Sequence, residues 1–98
     1  MPLRVVVAED NLLVREGVVT LLANQDGIEV VGSVGSYDEL MDAVEQEKPD
    51  VVLTDIRMPP TGTDEGIRAA LTLRDTHPHT AVVVLSQYVD PAYALALL

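Results

Sequence analysis

Four short runs of aliphatic and β-branched residues, separated by helix-like segments, constrain the fold of this chain most strongly. They cover residues 3–8, 28–34, 51–54 and 81–85. The first, third and fourth runs barely alternate between apolar and polar residues, which is typical of strands buried on both faces of a parallel sheet. The second run is more mixed and is expected at a sheet edge.

The segment after each of the first two runs has helical features. Four apolar residues of the first helix are spaced i, i+4, i+7 and i+8 and form one stripe, namely Val14, Val18, Leu21 and Leu22. Gly27 fits the turn that leaves this helix. The second helix begins at a capping box, with Ser36 as N-cap and Glu39 three residues later, and Pro49 ends it. Its predicted buried face contains Leu40, Ala43 and Val44.

Two further helices are predicted. The third is entered through residues 63–65 and closes before Pro78, and its predicted apolar positions are Ile67, Ala70 and Leu71. In the fourth, Asp90 is the N-cap, Pro91 is the first helical residue, and the chain ends within the helix.

The resulting order, β-α-β-α-β-α-β-α, predicts one α/β domain over residues 1–98. Alternation with short connections implies a doubly wound parallel sheet with right-handed crossovers and helices on both faces. We expect the flavodoxin-like strand order 2-1-3-4.

Composition narrows the classes of function. Sixteen acidic residues face six basic ones, a net charge of −10, so this segment is expected to repel phosphate backbones and make no nucleic-acid contact. Hydrophobic residues make up 48%, too many for a disordered acidic tail. The chain has no cysteine, which excludes disulfides and thiolate zinc sites. Its apolar runs are too short for a membrane span, so a soluble, cytoplasmic protein is expected.

Acidic residues follow two of the strands that this order places side by side. Glu9 and Asp10 come directly after the first strand, and Asp55 ends the third. Ligands of open parallel sheets bind beyond the carboxyl ends of the strands, where these residues would meet. Other acidic pairs, at residues 38–39 and 64–65, are interpreted as favourable charges in first helical turns.

Three carboxylates held close together repel one another unless a cation neutralises them. Oxygen-only ligands suit Mg²⁺, which retains water or phosphate oxygens and so favours phosphoryl chemistry. An aspartate beside such an ion can attack a phosphoryl group, and the hydroxyl of Ser86, after the fourth strand, could donate a hydrogen bond to it. The chain's single lysine, Lys48, precedes the third strand and is predicted at the opposite end of the sheet. Arg15 on the first helix is interpreted as solvated or part of a docking surface.

Four collinear motifs now match a known family. They are Val-Val-Val-Ala-Glu-Asp-Asn at 5–11, Pro-Asp-Val-Val-Leu-Thr-Asp-Ile-Arg-Met-Pro at 49–59, Glu-Gly-Ile at 65–67 and Val-Val-Leu-Ser-Gln-Tyr at 83–88. The chain resembles the receiver domain of two-component response regulators, in the NarL/LuxR-type subgroup. The resemblance covers essentially the whole chain.

The resemblance implies a role for each matching residue. Asp55 is the phospho-accepting aspartate. Asp10 is a direct Mg²⁺ ligand, Glu9 acts on the ion largely through water, and the backbone carbonyl of Arg57 is a further ligand. Ser86 is the switch hydroxyl that moves toward the phosphoryl group.

The resemblance also implies partners. The phosphoryl donor would be a histidine kinase, with small donors such as acetyl phosphate as substitutes, and the output a DNA-binding module that regulates transcription. Accepting one phosphoryl group is a half-reaction, so the domain is not expected to be an enzyme.

The chain departs from the family at its end. Receivers have five βα units, and the fifth strand delivers a lysine to the site; this chain holds four units, so a truncated receiver is expected. The run at 81–85 would then be an apolar edge strand and the helix at 92–98 would need cover. Self-association, as a homodimer through these two elements, is one expectation; completion of the fold by further residues is the other.

Two other functions remain open. The chain could be a receiver fragment that acts only as a dimerisation or docking module without phosphorylation. It could instead be an aspartyl-phosphate hydrolase of another doubly wound family. Such enzymes usually carry Asp-x-Asp after the first strand, and the Glu-Asp-Asn at residues 9–11 does not fit that pattern.

Overall fold

A computed structural model describes residues 2–55 and 64–85 of the chain. The elements are, in order, β1 (Leu3–Ala8), α1 (Leu12–Ala23), β2 (Ile28–Val34), α2 (Tyr37–Glu47), β3 (Val51–Asp55), α3 (Glu65–Thr76) and β4 (Ala81–Leu85). The fourth predicted helix, beginning at Pro91, lies outside the described residues.

The strands form one parallel sheet in the order β2-β1-β3-β4, as the sequence pattern predicts. Strand β1 pairs with β2 on one side and with β3 on the other, and β3 pairs with β4. The mixed run at 28–34 is indeed at an edge. The third strand ends at Asp55, as predicted, so this carboxylate belongs to the sheet itself.

The hydrophobic core lies between the sheet and the two helices α2 and α3. Its buried members are Val6, Ala8, Leu40, Val44, Val52, Ala69 and Leu73. Alternate residues of a strand point to opposite faces, so Val6 and Ala8 face this core while Val5 and Val7 face the other side. Leu40 and Val44 confirm the predicted face of α2, and the half-buried Ala43 packs against them.

The apolar residues that mark helix α3 in the sequence do not form its buried face. Ile67 and Ala70 are only half-buried and Leu71 is 46% exposed. The buried positions are Glu65, Gly66, Ala69 and Leu73. Gly66, Ala69 and Leu73 follow an i, i+3, i+7 pattern, but a stripe containing glycine and alanine has little hydrophobic signal.

Helix α1 lies on the opposite face of the sheet from α2 and α3, against β1 and β2. None of its residues is buried: Val14 and Leu21 are 38% and 68% exposed, and Val18 and Leu22 are half-buried. The predicted stripe therefore faces the sheet only in part. Within residues 2–55 and 64–85, α1 is the one helix on this face, and a single helix cannot cover four strands.

Polar contacts of Arg4 and a left-handed helix cap define the end of the sheet where the strands begin. The Arg4 N–H donates to Asp50 Oδ2 at 2.9 Å, and its guanidinium forms an ion pair with Glu47 at 3.0 Å. Lys48 caps α2 in the left-handed region, with φ 45° and ψ 60°, and its N–H donates to Val44 O at 2.8 Å. The single lysine is thus at the end of the sheet opposite Asp55, as predicted.

Among the described residues, no helix is both long and apolar enough to cross a membrane.

Candidate functional site

Three carboxylates meet at the carboxyl ends of β1 and β3. Ala8 is paired with Thr54 in the parallel register, so the next residues along the two strands, Glu9 and Asp55, lie beside each other. One carboxylate oxygen from each of Glu9, Asp10 and Asp55 lies within 4.8 Å of the other two. The structure therefore brings together the three acidic residues that the sequence pattern placed at this rim.

The three carboxylates differ in exposure, and this sets their electrostatics. Glu9 is buried, Asp55 is half-buried and Asp10 is exposed. Burial is the main cause that raises the pKa of Glu9, from 4.5 to about 7, with the negative charge of Asp55 and hydrogen bonds with Asp55 and Asp10 raising it further. The hydrogen bond from the Asn11 N–H opposes this rise in pKa.

An apolar cavity of about 160 Å³ lies directly beside the acidic cluster. Its lining is Val7, Ala8, Glu9, Val14, Val18, Leu53, Thr54, Asp55 and Leu85. Aliphatic side chains from both α1 and the sheet thus surround the buried part of Glu9. They cannot solvate a carboxylate, which explains the desolvation that raises the pKa of Glu9.

The turn between β1 and α1 is held by local hydrogen bonds. The Asn11 N–H donates to Glu9 Oε1 at 3.1 Å. The Asn11 side chain accepts from the Val14 N–H at 3.1 Å and so caps α1. Sequence reasoning overlooked this cap, although an asparagine just before an apolar helical stripe is its usual signal.

Arg15 reaches back from α1 to the same turn. Its Nη1 donates to the carbonyl oxygen of Glu9 at 3.1 Å, and the side chain is half-buried. Arg15 is therefore solvated only in part, and its alternative interpretation as part of a docking surface stays a prediction. The contact joins α1 to the residue directly after β1, and Gly35, after β2, lies close to the same guanidinium; helical periodicity does not reveal either relation.

The donor set of this cluster fits a divalent cation. All three side chains offer oxygen, the ligand type that Mg²⁺ prefers. Burial and the negative charge of Asp55 both disfavour the ionised form of Glu9 and raise its pKa. A bound cation would favour the ionised carboxylates, because an opposite charge nearby lowers the pKa of an acid.

Two of the predicted site residues, Arg57 and Ser86, lie outside the described residues, as does the loop at 56–63. Their roles as a carbonyl ligand and as the switch hydroxyl stay predictions.

The raised pKa of Glu9 predicts a pH-dependent stability in magnesium-free buffer. Protonation favours the folded state here, so this contribution is fully present below pH 4.5 and is lost as the pH rises toward 7. We expect the free energy of unfolding to fall by about 1 kcal/mol across this window, a value reduced for solvent screening. Urea titrations at a series of pH values measure it.

The control for this prediction is Glu9→Gln, which cannot ionise. Its unfolding free energy should lack this part of the pH dependence, whereas Glu29→Gln, at an exposed position of β2, should retain it. An identical pH profile in Glu9→Gln and the unmodified chain would assign the effect to another group.

Comparison with known proteins identifies the family. The family model for the response regulator receiver domain matches residues 5–98. The chain is 38% identical to the response regulator GacA of Pseudomonas viridiflava over 96 residues, covering 98% of this chain and 44% of that protein. It is 31% identical to the oxygen regulatory protein NreC of Staphylococcus haemolyticus over 96 residues, covering 98% of this chain and 43% of that protein. The chain thus spans less than half the length of these relatives.

Solved structures agree with this assignment. The signal receiver domain of the response regulator NarL from Mycobacterium tuberculosis superposes with a TM-score of 0.88 at 34% identity, covering 98% of this chain and 75% of that one. The isolated receiver domain of RcsB from Salmonella enterica shares the fold, with a TM-score of 0.89 at 24% identity and coverage of 99% and 70%. Sequence match, strand order and acidic rim therefore agree: the chain belongs to the receiver-domain family of two-component response regulators, of the NarL/LuxR type.

Proposed function

We propose that this chain is a phospho-accepting receiver in which Asp55 takes a phosphoryl group from a histidine kinase in a Mg²⁺-dependent reaction. The observation that carries the proposal is the meeting of three carboxylates from two adjacent strands, with their oxygens within 4.8 Å. Asp55 ends β3 and remains half-buried, so its carboxylate is both fixed by the sheet and open to a donor.

The chemistry assigned to Asp55 is nucleophilic. A carboxylate oxygen attacks the phosphorus atom, the bond from phosphorus to the donor's leaving group breaks, and an aspartyl phosphate forms. Glu9, Asp10 and Asp55 would hold the Mg²⁺ together with the backbone carbonyl of Arg57. The Ser86 hydroxyl is assigned the switch role, as a hydrogen-bond donor to the transferred phosphoryl group. When bound, the ion supplies the positive charge that an added phosphoryl group requires beside this acidic rim.

Incubation of the protein with acetyl phosphate and Mg²⁺, followed by intact-mass spectrometry, tests this function. We expect a gain of one phosphoryl group that is lost when EDTA replaces Mg²⁺. No gain would contradict phospho-acceptance and favour a docking role. Continuous, multiple-turnover release of phosphate would instead support the hydrolase alternative.

The wider role in signalling is inferred from the relatives. Matched proteins include response regulators and a transcriptional regulatory protein, YhcZ of Bacillus subtilis, and the chain covers less than half of each. We therefore propose a histidine kinase as donor, a transcription-regulating DNA-binding output elsewhere in the protein, and a cytoplasmic location. Nucleic-acid contact is assigned to that output and not to this acidic segment.

One observation favours docking by self-association as a second candidate function. Strand β4 is the last strand of the described sheet, carries no charged residue, and exposes 46% of both Val83 and Leu85. Apolar edge strands recruit further strands, so a second copy could pair here. The other proposed contact is the helix predicted from the sequence at 92–98, which lies outside the described residues. Light scattering at about tens of micromolar tests this; a strictly monomeric mass would contradict it.

A further inference from the structure

We propose that Arg15 and Gly35 act together as a positioning pair that sets the Mg²⁺ affinity of the acidic cluster. Gly35 leaves space for the Arg15 guanidinium. The guanidinium in turn fixes the main-chain carbonyl of Glu9. This inference rests on the proposed metal-binding function and assigns it two residues that touch neither metal nor phosphoryl group.

The first support is the way in which the main chain of Glu9 is held. Its N–H donates to Val34 O at 3.0 Å, which continues the ladder between β1 and β2. Its carbonyl accepts from Arg15 Nη1 at 3.1 Å. Both main-chain polar groups of Glu9 are thus hydrogen-bonded. Its carbonyl belongs to the peptide group that joins Glu9 to Asp10. Fixing that peptide orients two of the three carboxylates at once.

The second support is the close approach of Arg15 to Gly35. A Cβ atom added to Gly35 would lie 2.6 Å from Arg15 Nη1 and 3.8 Å from the Glu9 carbonyl oxygen. A contact of 2.6 Å cannot persist, and the end of a long flexible side chain is the part that would move. Any larger residue at position 35 would therefore displace the guanidinium from the Glu9 carbonyl.

Gly35 itself is held in place by the first turn of α2. Its N–H donates to Glu39 Oε1 at 3.3 Å, and the same oxygen accepts from Ser36 Oγ at 3.2 Å. These bonds belong to the capping region of α2, in which the Glu39 N–H donates to Ser36 Oγ. Gly35 is thus tied to the start of α2 by hydrogen bonds. Displacement of the flexible Arg15 side chain is therefore the easier response to a clash.

Groups that orient metal ligands without touching the ion change metal affinity strongly when they are removed. We expect Gly35→Ala to weaken Mg²⁺ binding about tenfold, measured by isothermal titration calorimetry with MgCl₂ on the full chain. Asp10→Asn locates the observed binding at this site. The matched control is Gly17→Ala, since an added Cβ meets nothing within 4 Å at Gly17; its Mg²⁺ affinity should equal that of the unmodified chain.

A double-mutant cycle with Arg15→Lys tests the mechanism at constant net charge. The lysine amine ends one bond short of the guanidinium nitrogens, so it should lose the Glu9 carbonyl and also avoid the clash with an alanine at position 35. We expect Arg15→Lys alone to weaken binding about as much as Gly35→Ala does, and the double variant to be no weaker than either. Equal and additive effects would overturn the proposal, because independent sites add.

Urea unfolding of each variant without Mg²⁺ separates positioning from general stability. A lower free energy of unfolding with unchanged Mg²⁺ affinity would make the pair merely structural and overturn the inference. If Gly35→Ala does not fold, the Arg15→Lys variant alone still tests the inference. An Mg²⁺ affinity of this variant equal to that of the unmodified chain would overturn the inference. If the cycle is non-additive but the chain accepts no phosphoryl group, the proposed function is refuted and the positioning role is not. If the chain binds no Mg²⁺, the proposed function and the positioning role are both refuted.

Discussion

Asp55→Asn is expected to abolish phosphoryl acceptance, with no gain in mass from acetyl phosphate and Mg²⁺. An amide oxygen is a far weaker nucleophile than a carboxylate and cannot form the acyl phosphate. The shape of the side chain is nearly unchanged, so β3 and its pairing with β1 and β4 should persist. Intact-mass spectrometry over a time course measures the loss directly.

Matched aspartates make this result specific. Asp42→Asn, at an exposed position of α2, should be phosphorylated like the unmodified chain. Asp10→Asn should also lower phosphorylation, but through weaker Mg²⁺ binding, so a higher Mg²⁺ concentration should restore part of the rate. Undiminished phosphorylation of Asp55→Asn would place the acceptor on another residue.

The same substitution should change the acid–base behaviour of its neighbour. The negative charge of Asp55 is one of the causes that raise the pKa of Glu9. Without that charge, the pKa of Glu9 should fall below about 7, which NMR titration of its side-chain carboxyl carbon would report. This shift remains measurable even though the variant accepts no phosphoryl group.

Leu40→Ala is expected to cause the largest loss of stability, about 3 kcal/mol in the free energy of unfolding. Leu40 is completely buried and belongs to the cluster between the sheet, α2 and α3. Truncation removes its contacts and leaves a cavity that this two-layer core cannot close. Urea denaturation followed by circular dichroism gives the value.

Leu13→Ala is the matched control, because the same chemical change occurs on a side chain that is 84% exposed. We expect its unfolding free energy to change by less than about 0.5 kcal/mol. Should Leu40→Ala be unfolded at the start of the titration, Leu40→Met retains most of the volume and should cost less than about 1.5 kcal/mol. Comparable losses for Leu40→Ala and Leu13→Ala would contradict the described core.

The parts of the fold that could be predicted are those set by local patterns. The uninterrupted run at 3–8 forms a strand that is buried from Val5 to Ala8, as predicted, and the capping box of Ser36 and Glu39 marks the start of α2. The run at 81–85 also forms a parallel strand, but every second residue of β4 is exposed, so the expected burial on both faces is wrong for this strand. The acidic site could be predicted for a related reason. Parallel strands end at the same edge, so residues placed directly after β1 and at the end of β3 must meet there.

The parts that could not be predicted depend on how the elements approach one another. The buried face of α3 runs through Gly66 and Ala69, whose small side chains give no hydrophobic signal but allow close contact. Arg15 carries a charge that predicts exposure, yet it is half-buried, because a glycine 20 positions away in the sequence leaves room for it. Such contacts exist only once β2 lies beside β1.

Lys48 provides the chain's only side-chain amine, and it lies at the far end of the sheet from Asp55. A dye or biotin joined to that amine would therefore sit away from the acidic rim. Protein captured on a sensor surface through Lys48 would present Asp55 outward to the proposed kinase in solution. The end of α2 thus offers an attachment point for measuring docking that leaves Glu9, Asp10 and Asp55 unmodified.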